Sequence, residues 1–505
     1  MHQLRQTASR NTQFSASRLT AAILVAFAGV ASASAATLSV GPGKTYAKPC
    51  AAIAAAKDGD IIEITGNTTY SGDVCNIDRN NLTIRGVNGR PKIDAAGKNM
   101  GGKGIWVVNG SNLVVDNVEM YGAKVADANG AAFRLQNTNF TLRNSFLHDN
   151  ENGILANANA NSDILIEYTE FGHNGHGDGQ SHNLYIGHVK SLTFRYSFSH
   201  DANVGHNLKS RAEKNMIAYS RFSSLNSGQT GSTAAGKPSY EIDLPNAGES
   251  YLIGNVIQQP SSPSNSGMVA YGEEGATNAS SNLYVINNTF LNDYSGGTFL
   301  FVSGKVPTPA MVQNNIFAGV GTFSTQATTI DKTNYRNAAP GFVNRAAYDL
   351  HPTGSALVIG AASNPGTSPT GVSMVPVAQY KSTANGEGRP VSGTLDIGAY
   401  EATDTTSVPT APAPAPTAPA PTAPAPTAPT PAPTAPAPVT GTATFTTCAG
   451  EWGTCSFSGT REVRYGYGAT YASKVMTGPV KCSNGVFGDP APGRAKTCSY
   501  SSVTK

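Results

Sequence analysis

Seven of the nine histidines lie between His148 and His206, and amide, basic and carboxyl side chains crowd the same stretch. Five segments there, GAAFRLQN, ENGILANA, SHNLYIGH, GHNLKSRA and SYEIDLPN, can be laid over one another. In that register Lys209 has Tyr185 on one side and Asp243 on the other, and Asn183 and Glu241 flank Asn207. Arg211 stands two residues beyond Lys209. His182 and His206 sit one residue before the asparagine column, while His176, Asp178, His200 and Asp201 fall in the turns that feed it. On one outward face, such groups suit removal of a proton next to a carboxylate. That proton is weakly acidic, so a cation must neutralise the carboxylate while a base takes the proton and an acid protonates the leaving oxygen. Arg211 offers the cationic fork. Lys209 or His206 is the candidate base and Tyr185 or His182 the candidate acid. Asn183, Asn207, Glu241, Asp243 and His176 are the candidate substrate contacts. A lysine among cations and partly desolvated loses pKa, which helps a base; Asp243 opposes this and favours His206.

Hydrolysis is the rival chemistry. Glu241 and Asp243, two apart on one strand, would hold carboxyls about 6.6 Å apart, near the window for inverting glycosidases. A metal centre has no sequence motif: among the clustered histidines only His173 and His176 stand three apart, so ligands would have to come from different segments. Calcium, if bound, falls to Asp178, Asp201 or Asp243.

These residues meet only if the chain stacks segment over segment. Phe133, Ile154, Leu184, Leu208 and Ile242 form one mostly apolar column; Leu135, Ala156, Ile186, Ser210 and Leu244 form another two residues on. The period of two predicts strands with one buried face and the column Arg134, Leu155, Tyr185, Lys209, Asp243 outward. A second alignment registers on Asn144, Tyr168, Tyr196, Tyr219, Gly254, Asn287 and Asn314. Repeats of this length, strand-like and rich in Asn and Gly, read as coils of a parallel β-solenoid about 4.8 Å apart. An internal turn ladder is expected at Asn144, Asn287 and Asn314. Further strands are expected at 61–64, 81–86, 103–108, 112–120, 268–271, 283–290, 298–302 and 312–317. A short helix from Pro49 to Lys57 would cap the first coil's open edge.

Composition narrows the field. With 13% charged residues and a formal charge of +3, the 505-residue chain has no field for nucleic acid. Residues 19–35, LTAAILVAFAGVASASA, follow three arginines and end in a small-residue site, the pattern of an export signal covering 1–35. No later segment could span a bilayer. Six cysteines then predict disulfides. Cys50–Cys75 is one; Cys448, Cys455, Cys482 and Cys498 leave three pairings open.

The helix before a GD-I-x-I strand, the Asn-rich coils and the closing YDLHPTGSA…LDIGAYE resemble secreted bacterial right-handed parallel β-helix proteins over residues 37–402. That superfamily includes pectate and alginate lyases, uronan epimerases, polygalacturonase-type hydrolases and phage tailspikes. The resemblance implies an all-β solenoid acting on an acidic polysaccharide, most simply as a lyase. GHGDG (175–179) and K-S-R (209–211) loosely resemble hydrolase signatures, but the basic pair is reversed and no catalytic carboxylate pair stands where that family has one. A non-catalytic glycan-binding adhesin is a further alternative.

Residues 403–442 are a Pro/Thr/Ala repeat, an extended spacer. Residues 443–505 form a cysteine-stapled β module, and C-x-x-E-x-G-T-C-S-F-S-G-T resembles modules appended to secreted polysaccharide-active enzymes. Trp452, Tyr465, Tyr467 and Tyr471 are its candidate sugar-stacking faces.

Overall fold

The computed structural model describes residues 35–224, 237–402, 445–451, 453–468, 470–487, 490–491 and 494–504. The export signal through residue 34, the spacer 403–442 and Trp452 lie outside the described residues. The chain divides into two units, residues 1–416 and 417–505.

The first unit is a parallel β-helix of three sheets, with twelve, ten and eleven strands, visited in turn by each coil. The ten-stranded sheet confirms the first alignment: Arg134 pairs with Leu155, Leu155 with Tyr185, Tyr185 with Lys209, and Lys209 with Asp243. The flanking apolar columns are buried, from Phe133 to Ile242 and from Leu135 to Leu244.

Several stretches expected as single strands are two. Residues 112–120 split into Leu113–Asp116 and Glu119–Tyr121, and residues 283–290 into Leu283–Ile286 and Thr289–Asn292. The chain bends between them at Asn117 and Asn287, both with positive φ. Every residue of the second alignment, from Asn144 to Asn314, has φ between 49° and 65°. Gly and Asn enter that region cheaply. Tyr168, Tyr196 and Tyr219 do so while their rings stack at 5.1 and 5.6 Å, which offsets the strain. The expected internal turn ladder is a true column of bends, though Asn144 is exposed whereas Asn287 and Asn314 are buried.

The capping helix, Pro49–Ala55, buries Ala52 and Ile53 against the first coil and is tied down by Cys50–Cys75. At the other end LDIGAYE is not a strand. It belongs to a return segment laid along the column of bends: Asn314 Nδ2 donates to the Ser363 carbonyl, Tyr251 to Ser368, and the Val377 amide to Tyr219. The buried Arg389–Glu401 pair locks it.

The second unit holds a four-stranded antiparallel sheet. Its bridges are Cys448–Cys455 and Cys482–Cys498, one of the three pairings left open by the sequence. Tyr465 is a correction: it is fully buried, stacked on Phe487, with its hydroxyl donating to Glu451. A core this small recruits a large flat side chain. Tyr467 and Tyr471, 53% and 44% exposed at the tip of one hairpin, present aromatic faces among the described residues.

Candidate functional site

The outer face of the ten-stranded sheet gathers Tyr185, Lys209, Arg211 and Asp243, brought there by parallel register from three successive coils. Lys209 Nζ lies 3.0 Å from Asp243 Oδ2 and 2.8 Å from Glu274 Oε1. Arg211 Nη2 lies 2.6 Å from Glu274 Oε2, and its Nε donates to the Tyr185 hydroxyl at 2.8 Å. Arg211 Nη1 donates to Asn246 at 2.6 Å. One partly exposed carboxylate, Glu274, is therefore held across a lysine and an arginine.

Electrostatics correct the expectation for Lys209. Burial alone would lower its pKa, but the Asp243 and Glu274 carboxylates outweigh burial, and the net shift is upward. Lys209 rests as an ammonium between anions, not among cations. Burial lifts Asp243 to about 6 despite Lys209, and its Oδ1 has no hydrogen-bond partner among the described residues.

The two site histidines are also corrected. They stack on each other at 4.6 Å, and each Nδ1 accepts a backbone amide: His206 N donates to His182 and Tyr240 N to His206. With Nδ1 engaged as acceptor, the neutral ring carries its proton on Nε2. Burial depresses His182 to about 3, and His206 falls well below its ordinary value for the same reason. Both are neutral donors, with His206 Nε2 3.4 Å from Asp243. Neither has a free ring nitrogen to act as base.

Asn183, Asn207 and Glu241 are not on the outer face. They are buried in the turn that opens each strand, in a chain of amides: Asn150 to Asn174, Asn174 to Asn183 and Asn183 to Asn207, each 2.9 Å, with Asn207 donating on to Glu241 Oε2. The strands here are only three residues, Leu184–Ile186, Leu208–Ser210 and Ile242–Leu244. Alternation ends with the strand, and at the residue just before it the bend points the side chain inward, where turn backbone needs partners. Burial pushes the pKa of Glu241, inside the helix, well up. The Glu241–Asp243 pair needed for inverting hydrolysis is therefore not displayed on one face.

The patch opens at Tyr185 and Arg211 onto a groove of about 540 Å³ that runs toward the earlier coils. Arg134 and Leu155 line it from the sheet, and Asp127, Asn129 and Asp178 from loops. His176 stands in one of those turns, half exposed, 3.6 Å from Glu151. Sequence reasoning missed Glu274, Glu273 and Tyr240, whose hydroxyl donates to Glu273 at 2.7 Å. The signal available was the Y-G-E-E-G turn two coils beyond Lys209, following Gly267–Tyr271.

Of the alternatives Asp178, Asp201 and Asp243, only Asp201 belongs, among the described residues, to a group of three metal-ligating side chains. Among the described residues the one three-donor group is His173, His200 and Asp201, whose imidazoles do not suit a hard cation that prefers oxygen. His200 is already held at both nitrogens, by Asp201 at 2.8 Å and Glu170 at 3.2 Å. Burial lowers its pKa, but the two carboxylates outweigh it and raise it overall. A raised folded pKa contributes stability that is full below the unfolded value and lost as pH rises through the folded one. His200→Gln should accordingly lower the denaturation midpoint strongly near pH 6 and less near pH 9; an equal loss at both would contradict the charged-histidine reading.

No family model matches the chain, and no curated protein matches it. Solved structures similar to it in fold include two that are 14% identical. Pectate lyase Pel9A is 14% identical, with a TM-score of 0.48 over 73% of this chain and 96% of that one. ORF18 of Geobacillus virus E2 is 14% identical, with a TM-score of 0.38 over 57% of this chain and 56% of that one.

Proposed function

We propose that this protein is an exported lyase that cleaves a uronate-containing polysaccharide by β-elimination on the outer face of the ten-stranded sheet. The observation that carries the reading is the Glu274 clamp. Its carboxylate bridges Lys209 and Arg211 beside an open groove, so the two cations are already spaced to receive a carboxylate from outside. A substrate uronate takes that place and moves Glu274 aside.

The roles follow from the contacts. Arg211 binds the substrate carboxylate and neutralises charge that builds as the adjacent carbon loses its proton. Lys209 is the base. Its resting proton passes to Asp243 Oδ2, 3.0 Å away, on a carboxyl whose raised pKa suits it to receive one. The neutral amine then takes the proton beside the carboxylate. Tyr185, its oxygen held by Arg211, keeps its own hydroxyl proton for the leaving oxygen. His182 and His206 brace the site as neutral donors. Three disulfides support the reading of an oxidising destination.

The experiment is a screen of the full chain against pectate, alginate, hyaluronan-type and bacterial exopolysaccharides, with and without chelator. An ultraviolet-absorbing unsaturated uronate is the expected product. New reducing ends without that chromophore would establish a hydrolase, and retained binding without cleavage an adhesin.

A further inference from the structure

The groove beside the catalytic patch contains three cationic or potentially cationic side chains, and two are committed. Arg211 is paired with Glu274, and His188 Nε2 lies 2.6 Å from Glu213. Arg134 differs. Its guanidinium lines the groove, yet among the described residues it makes no ion pair. Nη2 has a single long bond, 3.3 Å, to Asn157 Oδ1, and the buried Nε has no hydrogen-bond partner. A half-buried guanidinium left so poorly satisfied is costly unless something else completes it. Asp127, on the groove's loop wall, acts on it only through space.

Register fixes where Arg134 stands. It shares the outward column with Leu155, Tyr185 and Lys209, one residue per coil. Three strand spacings therefore separate it from Lys209, about 14 Å along the helix axis. Between them the floor is Leu155 and the Tyr185 ring, a flat apolar strip of the kind that accepts sugar faces, with Asn129, Asn152 and Asn157 along the sides.

We infer that Arg134 is a second carboxylate subsite, which binds another uronate of the same polymer chain while the reacting uronate is held at Arg211. The inference rests on the lyase reading and deepens it: the substrate is a polymer with recurring carboxylates, lying along the helix axis toward the amino-terminal coils. A polymer with an isolated acid, or an oligomer too short to reach between the subsites, leaves Arg134 empty. Arginine suits the task because its fork meets a carboxylate with two parallel bonds.

The test compares the full-length wild type with Arg134→Gln and Arg134→Lys. On the polyuronate that the wild type cleaves fastest, Arg134→Gln should raise KM about tenfold or more while kcat stays within about threefold, the loss of ground-state and transition-state binding alike. Arg134→Lys should recover part of the loss. The penalty should shrink toward nothing on di- and trisaccharides and on a polymer whose carboxyls are methyl-esterified away from the cleavage point. Unchanged KM on the polymer, or an equal penalty on short oligomers, overturns the subsite. Should the wild type release no unsaturated product from any polymer, the lyase reading fails by itself. Retention of wild type and Arg134→Gln on immobilised polyuronate then still decides the subsite: earlier elution of the variant supports it, and identical elution overturns it. Thermal melts of both variants report whether the fold is intact.

Discussion

Lys209→Ala should reduce kcat on the best polyuronate by about three orders of magnitude while leaving the helix folded, the range lost when a positioned general base is removed. The ammonium is fixed by two carboxylates at 3.0 and 2.8 Å, and no other described group at the patch has a free basic nitrogen to replace it. The conservative Lys209→Arg tests the same point differently. It keeps a cation against Asp243 and Glu274 but cannot lose its proton, so substrate should still bind while turnover stays low. A pH profile separates this from a structural role. Asp243 must be ionised to accept the lysine's proton, and its pKa is raised to about 6. Turnover should therefore rise as pH increases through about 6 and fall away below it, as Asp243 fills with a proton before the substrate arrives. An acid limb in the ordinary carboxylate range would remove Asp243 from the relay. Alanine activity within tenfold of the wild type would remove Lys209 from the chemistry.

Asn207→Ala should be the most destabilising single polar replacement in the central coils, costing about 3 kcal/mol or more. Its side chain is fully buried and works in several directions at once. Oδ1 accepts from Asn183 and from the Ala202 amide, and Nδ2 donates to Ser224 and Glu241. Truncation orphans each of those groups in a place water does not reach, and the cost of an unmade bond there exceeds the gain of a made one. Asn207→Asp should not rescue it, because it presents a second carboxyl to the buried Glu241. Denaturant midpoints of the full chain measure the effect. A loss below about 1 kcal/mol would mean that the amide ladder decorates the turns and does not hold them.

The extent to which this molecule was legible in its sequence follows the physics of short repeats. Side chains within strands obeyed the period of two, so the column Arg134, Leu155, Tyr185, Lys209, Asp243 could be read directly, and with it the position of the patch. The bends were legible as positions, since Asn144 through Asn314 align, but their consequence was not. A left-handed residue turns the chain, so a continuous stretch such as 283–290 became two strands in different sheets. The same effect hid Asn183, Asn207 and Glu241, because three-residue strands leave the preceding positions to the geometry of the turn. Tyr465 was misjudged for another reason: a module with few large side chains uses an aromatic as its core, and composition cannot tell which one. Glu274 was illegible as a partner of Lys209, since it comes from a turn 65 residues on. With Asp243 it turns the lysine's shift upward, while His206 leaves the base's role for a separate reason, its burial and the Tyr240 amide held at Nδ1.

The central claim is that Lys209, Arg211 and Tyr185 break the chain by elimination, so that no water oxygen enters the product. Cleavage of a polyuronate by the full-length protein in heavy-oxygen water, followed at once by mass spectrometry of the fragments, tests this directly. The account predicts unsaturated fragments, each lighter by one water than a hydrolysis product, with no solvent oxygen at the new ends. Saturated fragments carrying one heavy oxygen at the new reducing end would contradict it.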